Sequence, residues 1–264
     1  MPEGDTLFRT AAGLRPHLVG RVVTAARARR PGPQIERVVG STIDAVESQG
    51  KNLVIRFDNG LEVRTHLRMN GSWHRYRPGE PWRRPQARAR LVLEVPGAVA
   101  VCFDAPVVEL FEQRAEPLHA ALAALGPDLL DPGFGESEAA EARRRLRDPA
   151  RADLTVSEAL LDQRALAGIG NIWRNETLFA ERVDPLAPVG SLDDATIDRL
   201  IATARRLLVA SAGQAPGRGR PHVYRRAGRP CSRCGTIIRS GPLGAALPRT
   251  TYWCPRCQGS EGAP

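Results

Sequence analysis

The spacing of apolar residues changes along the chain, from helical to strand-like and back. Near the N-terminus Leu7, Ala11, Leu14 and Leu18 recur every three or four positions, which predicts an amphipathic helix over residues 5–18. Short segments rich in Val, Ile, Leu and Phe follow, separated by turn residues. The predicted strands are 21–28, 41–47, 52–57, 61–66, 71–76, 89–95 and 98–104. Strands at this spacing indicate a β-sandwich.

Helical spacing returns after about residue 115. Thr155 and Glu158 have the spacing of a capping box, which predicts a helix running through Leu161. A second cap at 191–194 precedes an apolar stripe from Ile197 to Leu208. A Gly/Pro/Arg-rich stretch, 213–221, predicts a loop.

Four of the five cysteines form one motif, C-x2-C-x19-C-x2-C. They are Cys231, Cys234, Cys254 and Cys257. Two close pairs can place four thiolates around one structural Zn²⁺, and the polar-aromatic stretch 248–253 between them suits a β-hairpin. Two disulfides are the alternative. The chain start lacks the features of a signal peptide and Cys102 has no partner in the motif, which favours zinc.

The charge of the chain indicates an anionic partner. The net charge is +9 and the pI is about 10.3, a balance typical of proteins that bind nucleic acid. Lysine occurs once, as Lys51, while the other 37 basic residues are arginine. No apolar run is long enough to span a membrane. We therefore expect a cytoplasmic, nucleoid-associated protein with no membrane partner.

Two further segments are candidates for chemistry. Residues 168–171 read Gly-Ile-Gly-Asn, where the glycines permit close approach of the backbone and Asn171 suits the N-cap of a helix over 172–181. Such a helix start can bind a phosphate, although an ordinary turn between helices has the same pattern. At the N-terminus, removal of Met1 would expose the secondary amine of Pro2, a nucleophile able to form a Schiff base beside the carboxylate of Glu3. A proline that merely begins a helix is the alternative.

Taken together, these motifs resemble the formamidopyrimidine-DNA glycosylase and endonuclease VIII superfamily of DNA repair enzymes. The resemblance runs in order through the whole chain, on Met-Pro-Glu-Gly at 1–4, Gly-Lys at 50–51, Leu-Leu-Asp-Gln at 160–163, Gly-Ile-Gly-Asn-Ile at 168–172 and Tyr-Trp-Cys-Pro-Arg-Cys-Gln at 252–258. It implies an α+β multidomain fold. An N-terminal helix plus β-sandwich is joined to a helix-two-turn-helix domain with a zinc-finger β-hairpin. We assign 1–115 to the sandwich, 116–150 to a linker with entry helices, 151–221 to the helix-two-turn-helix domain and 222–264 to the zinc finger.

The resemblance also implies an activity and the residues that perform it. The expected reaction is excision of an oxidised base from flipped DNA, followed by β,δ-elimination at the abasic site. Pro2 would be the nucleophile, Glu3 the proton donor and acceptor, and Lys51 a catalytic phosphate contact. The DNA backbone would be held by the residues His66, Asn171, Tyr224 and Arg249. We expect damaged DNA, single- or double-stranded, as the partner of a monomer.

The stretch after Asp104 predicts the branch of the superfamily. The branch directed at 8-oxoguanine carries an Arg-Arg-Phe wedge there, whereas this chain reads Ala-Pro-Val-Val-Glu-Leu at 105–110. This pattern resembles endonuclease VIII and implies oxidised pyrimidines as substrates. Met69 would then fill the void left by the flipped base, and we expect the carboxylate of Glu109 to repel phosphates.

The chain departs from the family pattern in the missing wedge, which leaves single-stranded or bubble substrates open, and in the residues after Gly4. Asp5-Thr6 replaces the usual Pro-Glu after Gly4, so the second acidic residue is lost unless Asp5 substitutes for it. The alternative function is a non-catalytic binder of abasic or damaged DNA on the same scaffold. A zinc-ribbon transcription factor would leave residues 1–115 unexplained.

Overall fold

The computed structural model describes residues 2–29, 31–214, 220–243 and 249–259. It divides into two compact units, Met1–Ala123 and Ala124–Pro264. Met1 and residues 215–219 of the predicted 213–221 loop lie outside the described residues, as does Pro248 of the predicted hairpin. Within the described ranges, none of the helices combines the length and the apolar character needed to cross a membrane.

The first unit is built on two four-stranded antiparallel sheets. Its strands are β1 (Ala25–Ala28), β2 (Ile43–Gln49), β3 (Asn52–Phe57), β4 (Leu61–His66), β5 (Ser72–Tyr76), β6 (Ala89–Val95), β7 (Ala98–Phe103) and β8 (Val107–Glu112). One sheet has the order β2-β3-β4-β8 and the other β1-β6-β7-β5. The predicted β-sandwich is confirmed, and an eighth strand is present after the Asp104 turn.

Helix α1 (Gly4–Leu18) closes the core of this unit. Its predicted apolar stripe is buried, with Leu7 and Leu18 fully excluded from solvent. The stripe joins core-facing residues of both sheets, such as Ile55 and Leu93, in one apolar cluster. Burial of these side chains is the main stabilising term of the unit.

The outer face of the β2-β3-β4-β8 sheet is charged. Antiparallel pairing places Arg56 opposite Glu62, and Arg64 opposite Glu109. Alternate residues of a strand point to opposite faces, so these side chains lie on the face away from the core. A short helix, α2 (Ala120–Ala123), ends the unit.

The second unit contains helices and a hairpin. Its elements are α3 (Glu136–Leu146), α4 (Val156–Ala159), α5 (Asn171–Ala180), α6 (Asp194–Ala212), β9 (Arg239–Leu243), β10 (Arg249–Trp253) and α7 (Pro255–Gln258). Helices α5 and α6 pack together, and β9 and β10 pair antiparallel. The predicted zinc-finger hairpin therefore has the expected strand pair.

The helix ends show where the sequence predictions held. Thr155 and Glu158 form the predicted capping box, and Asp193 caps α6. Helix α4 ends at Ala159 rather than continuing through Leu161, because the N–H groups of Leu161 and Asp162 bond three residues back, to Glu158 and Ala159, as in a turn. The prediction of Asn171 as an N-cap was wrong. Gly170 occupies the extended cap position and Asn171 is the first helical residue.

Candidate active site and DNA-contact residues

Pro2 and Glu3 lie immediately before α1. The backbone carbonyl of Glu3 accepts hydrogen bonds from the N–H groups of Thr6 (2.9 Å) and Leu7 (3.2 Å), which fixes the start of the helix. Glu3 is fully buried, whereas Pro2 is partly exposed. A carboxyl group is therefore held next to an accessible proline.

Asp5 is engaged within the first helical turn. Its carboxylate accepts the N–H of Thr6 at 2.8 Å and pairs with Arg9 at 3.1 Å. Only 5% of the residue is exposed. These contacts give Asp5 a structural role at the helix start.

Lys51 lies in the tight turn between β2 and β3. Gly50 has a φ of 56°, a left-handed conformation that glycine adopts without strain. Asn52 donates its side-chain N–H to the carbonyl of Gln49 across this turn, at 3.0 Å. Arg64 in turn donates Nε–H to Oδ1 of Asn52 at 2.9 Å. The position of Lys51 is thus fixed from both sides.

His66 ends β4 directly opposite Asn52, so it lies beside the Lys51 turn. Its Nδ1 accepts the N–H of Arg68 at 3.1 Å. Burial, together with the positive charges of Arg64, Arg68 and Lys51, lowers the pKa of His66 to about 4. His66 is therefore neutral at pH 7, within a cationic environment suited to a phosphate.

Met69 lies in the loop between β4 and β5, where 56% of its surface is exposed. The preceding Arg68 has a φ of 47°. Arg84 braces the same loop, since its guanidinium contacts the carbonyl of Asn70 at 3.3 Å and the carboxylate of Asp104 at 2.6 Å. An exposed apolar side chain on a braced loop can enter a gap in a base stack.

Glu109 has a paired charge, contrary to the expectation that it repels phosphates. It lies within β8, and its carboxylate contacts Arg64 at 2.6 Å and His119 at 3.1 Å. An ion pair with Arg64 cancels most of its field at a distance. The repulsion expected from the sequence is therefore offset by a residue on the neighbouring strand.

In the second unit, Asn171 and Arg249 lie close together. Asn171 donates its side-chain N–H to the carbonyl of Thr250 at 3.0 Å, and Arg249 begins the same strand in an exposed position. Arg174, fully buried, links Oδ1 of Asn171 (2.5 Å) to Oγ1 of Thr251 (2.8 Å). The helix start and the hairpin strand are thereby locked together.

The loop before α5 has the backbone geometry that its glycines permit. Gly168 has a φ of 96°, and a Cβ at this position would lie 3.2 Å from the carboxylate of Asp128. Gln163 accepts the N–H of Gly168 at 3.1 Å and donates to the carbonyl of Ile169 at 3.0 Å. A side chain at 168 would be strained, which explains the glycine.

Tyr224 is held by a buried carboxylate on α5. Glu176 accepts the N–H groups of His222 (2.7 Å), Val223 (3.0 Å) and Tyr224 (2.9 Å). The ring of Tyr224 meets Tyr252 of β10 edge to face, with 5.4 Å between centroids. Sequence reasoning missed Glu176 and Arg174. The only signal for these two residues in the sequence is a charged side chain at a position that α5 buries.

The four predicted metal ligands form one cluster. The sulfurs of Cys231, Cys234, Cys254 and Cys257 all lie within 4.8 Å of one another. The closest pairs are 3.4, 3.5 and 3.9 Å apart, and no disulfide joins them. Four thiolates around a tetrahedral metal with arms of about 2.3 Å lie about 3.8 Å apart, so the cluster fits a metal ion. Cys102 is buried separately in β7.

The predicted residues divide between the two units. Pro2, Glu3, Lys51, His66 and Met69 belong to the first unit, where the structure places Lys51 and His66 at the same end of one sheet. Asn171, Tyr224, Arg249 and the four cysteines belong to the second, where contacts of α5 with β10 and with residues 222–224 bring the first three together.

Models of two domains match this chain. The formamidopyrimidine-DNA glycosylase N-terminal domain matches residues 1–106, and the formamidopyrimidine-DNA glycosylase H2TH domain matches residues 125–215. The chain belongs to the formamidopyrimidine-DNA glycosylase family. The resemblance noted from its motifs is thereby confirmed.

Relatives of this glycosylase family match along nearly their whole length. Probable endonuclease 8 2 of Streptomyces coelicolor is 40% identical, covering 98% of this chain and 94% of that protein. The DNA-(apurinic or apyrimidinic site) lyase Nei2 of Mycolicibacterium smegmatis is 38% identical, covering 98% and 99%. Formamidopyrimidine-DNA glycosylase of Methylococcus capsulatus is 34% identical, covering 98% and 100%.

A solved structure of the glycosylase family has the same fold. The Lactococcus lactis enzyme, crystallised with DNA containing N7-benzyl-Fapy-dG, superposes with a TM-score of 0.82. It is 22% identical, and the match covers 97% of this chain and 99% of that one. The predicted fold class, with its β-sandwich and helix-two-turn-helix domain, is confirmed.

Proposed function

We propose that this chain is a bifunctional DNA glycosylase and abasic-site lyase of base excision repair. The observation that carries the proposal is the buried carboxyl of Glu3 beside the accessible Pro2 at the start of α1, in a chain that belongs to this family throughout. The names of its relatives, endonuclease 8 and abasic-site lyase, support the enzyme over a non-catalytic binder.

In the proposed reaction, the amine of Pro2 attacks C1′ of the damaged nucleotide after removal of Met1. The new C–N bond replaces the glycosidic bond, and the base leaves with a proton. Glu3 donates a proton to O4′ as the sugar ring opens to an iminium, then acts as a base. Loss of a C2′ proton expels the 3′ phosphate, and a second elimination expels the 5′ phosphate. Water releases the sugar fragment from Pro2.

The remaining site residues are proposed to hold the DNA. Lys51 and the neutral His66 meet a phosphate within the cationic end of their sheet, and Lys51 assists catalysis. Asn171, Tyr224 and Arg249 contact the backbone from the joined α5 and hairpin. Flipping a nucleotide out of the base stack costs roughly a few kcal/mol. Phosphate contacts on both sides of that nucleotide offset this cost.

We further propose that the cysteine cluster binds one structural Zn²⁺. The four thiols fit a tetrahedral metal, and soft thiolates without an open position favour zinc. The metal would hold the hairpin that carries Arg249. The protein would act as a monomer in the cytoplasm, associated with the nucleoid.

Oxidised pyrimidines are the proposed substrates. Strand β8 contains no arginine wedge. The chain is also more similar to the endonuclease 8 relatives, at 40% and 38% identity, than to the Methylococcus capsulatus glycosylase, at 34%. The proposed substrates include both single-stranded and duplex DNA.

Trapping with borohydride tests the nucleophile. Reduction of the iminium on an abasic-site oligonucleotide should give one covalent adduct, which Pro2→Gly and Pro2→Thr abolish. Lys51 carries the only side-chain amine in the chain, so Lys51→Arg is the matched control and should still form an adduct. An adduct of wild-type yield in the Pro2 variants, which keep a primary amine at the N-terminus, would show that the secondary amine of Pro2 is not required. Absence of any adduct from the wild type would favour the non-catalytic binder.

A further inference from the structure

The outer face of the β1-β6-β7-β5 sheet carries an aromatic cluster that the proposed reaction does not use. Tyr76, Val92 and Phe103 point to this face, opposite the main core. Trp82 stacks on Tyr76 with 6.1 Å between ring centroids and meets Phe103 edge to face at 5.8 Å. The backbone N–H of Arg83 donates to the hydroxyl of Tyr76 at 3.0 Å. Trp82 is therefore held in one orientation.

A groove of about 500 Å³ opens beside this tryptophan. Its apolar lining includes Ala28, Ala89 and Val92, and its rim includes Arg27 and Arg29. Arg29 lies against the segment that carries Trp82, because its guanidinium donates to the carbonyl of Ala87 at 3.1 Å. The groove thus combines an aromatic side chain with two exposed guanidinium groups.

The charge around the groove is positive. Residues 25–29 and the segment 77–88 together carry six arginines against three nearby carboxylates, an excess of three positive charges. The arginines are Arg27, Arg29, Arg77, Arg83, Arg84 and Arg88, and the carboxylates are Glu80, Glu94 and Asp104. Among the described residues, Arg29, Arg77 and Arg83 form no ion pair within 4.0 Å, so an anion can reach them.

We propose that this groove binds a single-stranded segment of DNA, with one base on Trp82 and a flanking phosphate on Arg29. A half-buried indole fixed by its neighbours offers a stacking surface at low entropic cost, and stacking is indifferent to sequence. Guanidinium groups bind phosphate through paired N–H donors. A base within a duplex is already stacked and cannot occupy the groove, so the site selects single strands. The choice of DNA rests on the proposed function.

The groove is distinct from the catalytic residues within its unit. Lys51 and His66 lie on the β2-β3-β4-β8 sheet, whereas the groove lies on the other sheet. Occupancy of one site therefore need not exclude the other. The two can be measured separately.

The experiment measures binding of fluorescent, undamaged (dT)12 to the full chain, free and after borohydride trapping on a blunt abasic-site duplex. The trapped duplex blocks the catalytic site. Trp82→Ala should weaken (dT)12 binding to the trapped protein about tenfold, the scale of losing one stacked base. Arg29→Gln should weaken binding about threefold and reduce the salt slope by about one. Arg114→Gln, which removes an exposed arginine just beyond strand β8 of the other sheet, should change nothing.

Binding of inorganic polyphosphate, which has charge but no bases, separates the contribution of stacking from that of charge. Trp82→Ala should leave its affinity unchanged, and Arg29→Gln should lower it. Trp82→Phe keeps an aromatic ring, so it should retain most (dT)12 binding. It also keeps the requirement for an aromatic ring testable if the alanine variant is misfolded. Equal (dT)12 affinity of wild type, Trp82→Ala and Arg29→Gln would overturn the proposal. Failure of trapping would instead count against the proposed function, and (dT)12 binding would then be compared on the free protein.

Discussion

Arg64 connects three parts of the first unit through one guanidinium. It is 6% exposed and contacts Asn52 beside the Lys51 turn and Glu109 on β8. Asn52 itself closes the turn through the carbonyl of Gln49. A buried arginine with two fixed partners restricts the turn more than an exposed ion pair would. Arg64 therefore acts as a positioning residue for Lys51.

We predict that Arg64→Met lowers the rate of abasic-site cleavage about ten- to hundredfold, the cost of misplacing a catalytic group by about 1 Å. The substitution keeps the apolar length of the side chain but removes both contacts. Single-turnover cleavage should show a reduced maximal rate with little change in the DNA concentration for half-saturation.

The control for Arg64 is Arg114→Met, which removes an exposed arginine paired with Glu112 at the end of the same sheet. It should cleave at the wild-type rate. Arg64→Lys, which can still reach Glu109, should recover part of the loss. A purely structural role would lower the thermal midpoint and leave the maximal rate per folded molecule unchanged.

Glu62 is a buried titratable group on the same sheet face. Three carboxylates surround Arg56: Glu62 at 2.9 Å, Glu116 at 2.9 Å and Glu47 in direct contact. Burial raises the pKa of Glu62 to about 7, an effect that Arg56 opposes and the nearby Glu116 strengthens. The folded protein therefore holds a proton here that the unfolded chain releases near pH 4.5.

Glu62 should accordingly make the protein less stable as pH rises. Between about pH 4.5 and 7 the folded state binds more protons than the unfolded state, so stability falls by up to about 3 kcal/mol and then levels off. Glu62→Gln removes this titration, so its free energy of unfolding should exceed that of the wild type at pH 8 by more than at pH 5. Urea denaturation at both values measures it. Glu47→Gln is the matched control, because Glu47 is half-exposed and contacts the same arginine. An equal pH dependence of stability in the wild type and in Glu62→Gln would contradict the assignment of this titration to Glu62.

Among the secondary-structure elements, β10 joins the cysteine cluster to the residues proposed to contact DNA. It begins with Arg249, bonds to α5 through Thr250 and Thr251, and ends immediately before Cys254. The strand is five residues long and has one neighbouring strand. A two-stranded hairpin is marginal alone, so a metal at the cluster should determine its order.

We predict that Cys254→Ser lowers bound zinc from one per chain to well below one and weakens binding of an abasic-site duplex. Metal analysis and a binding titration on the same preparation give both quantities. Cys102→Ser is the control, because Cys102 is a buried cysteine of the first unit outside the cluster. Full zinc content in Cys254→Ser would show that this thiol is not a ligand.

The elements also show what the sequence alone could predict. Strand spacing, the Thr155 capping box and the cysteine pairs depend on residues close in sequence, and these predictions held. The pairing of Arg64 with Glu109 and the contact of Glu176 with Tyr224 join residues 45 and 48 positions apart. Such contacts depend on strand order and helix packing, which local patterns do not specify. For the same reason the sequence predicts repulsion of phosphates by Glu109 but not its pairing with Arg64.

At the scale of the whole molecule, lesion choice depends on what can fill the gap left by a flipped base. Strand β8 pairs with β4 along its length, Val108 and Leu110 pack against the core, and Glu109 is engaged by Arg64. Met69, in the loop after β4, is an exposed apolar side chain. In its proposed role, a single flexible methionine would hold the opposite strand less firmly than an arginine and a phenylalanine would.

We therefore predict that the enzyme excises thymine glycol and 5-hydroxyuracil faster than 8-oxoguanine paired with cytosine. Single-turnover excision at one salt concentration, with each lesion in single- and double-stranded oligonucleotides, makes the comparison. Met69→Ala should reduce excision from duplex DNA several-fold and leave single-strand excision near the wild-type rate, because only a duplex leaves a gap to fill. Leu118→Ala, which truncates another exposed apolar side chain of the same unit, is the control and should alter neither. Faster removal of 8-oxoguanine from duplex DNA would reverse the assignment to the pyrimidine branch while leaving the glycosylase and lyase chemistry at Pro2 intact.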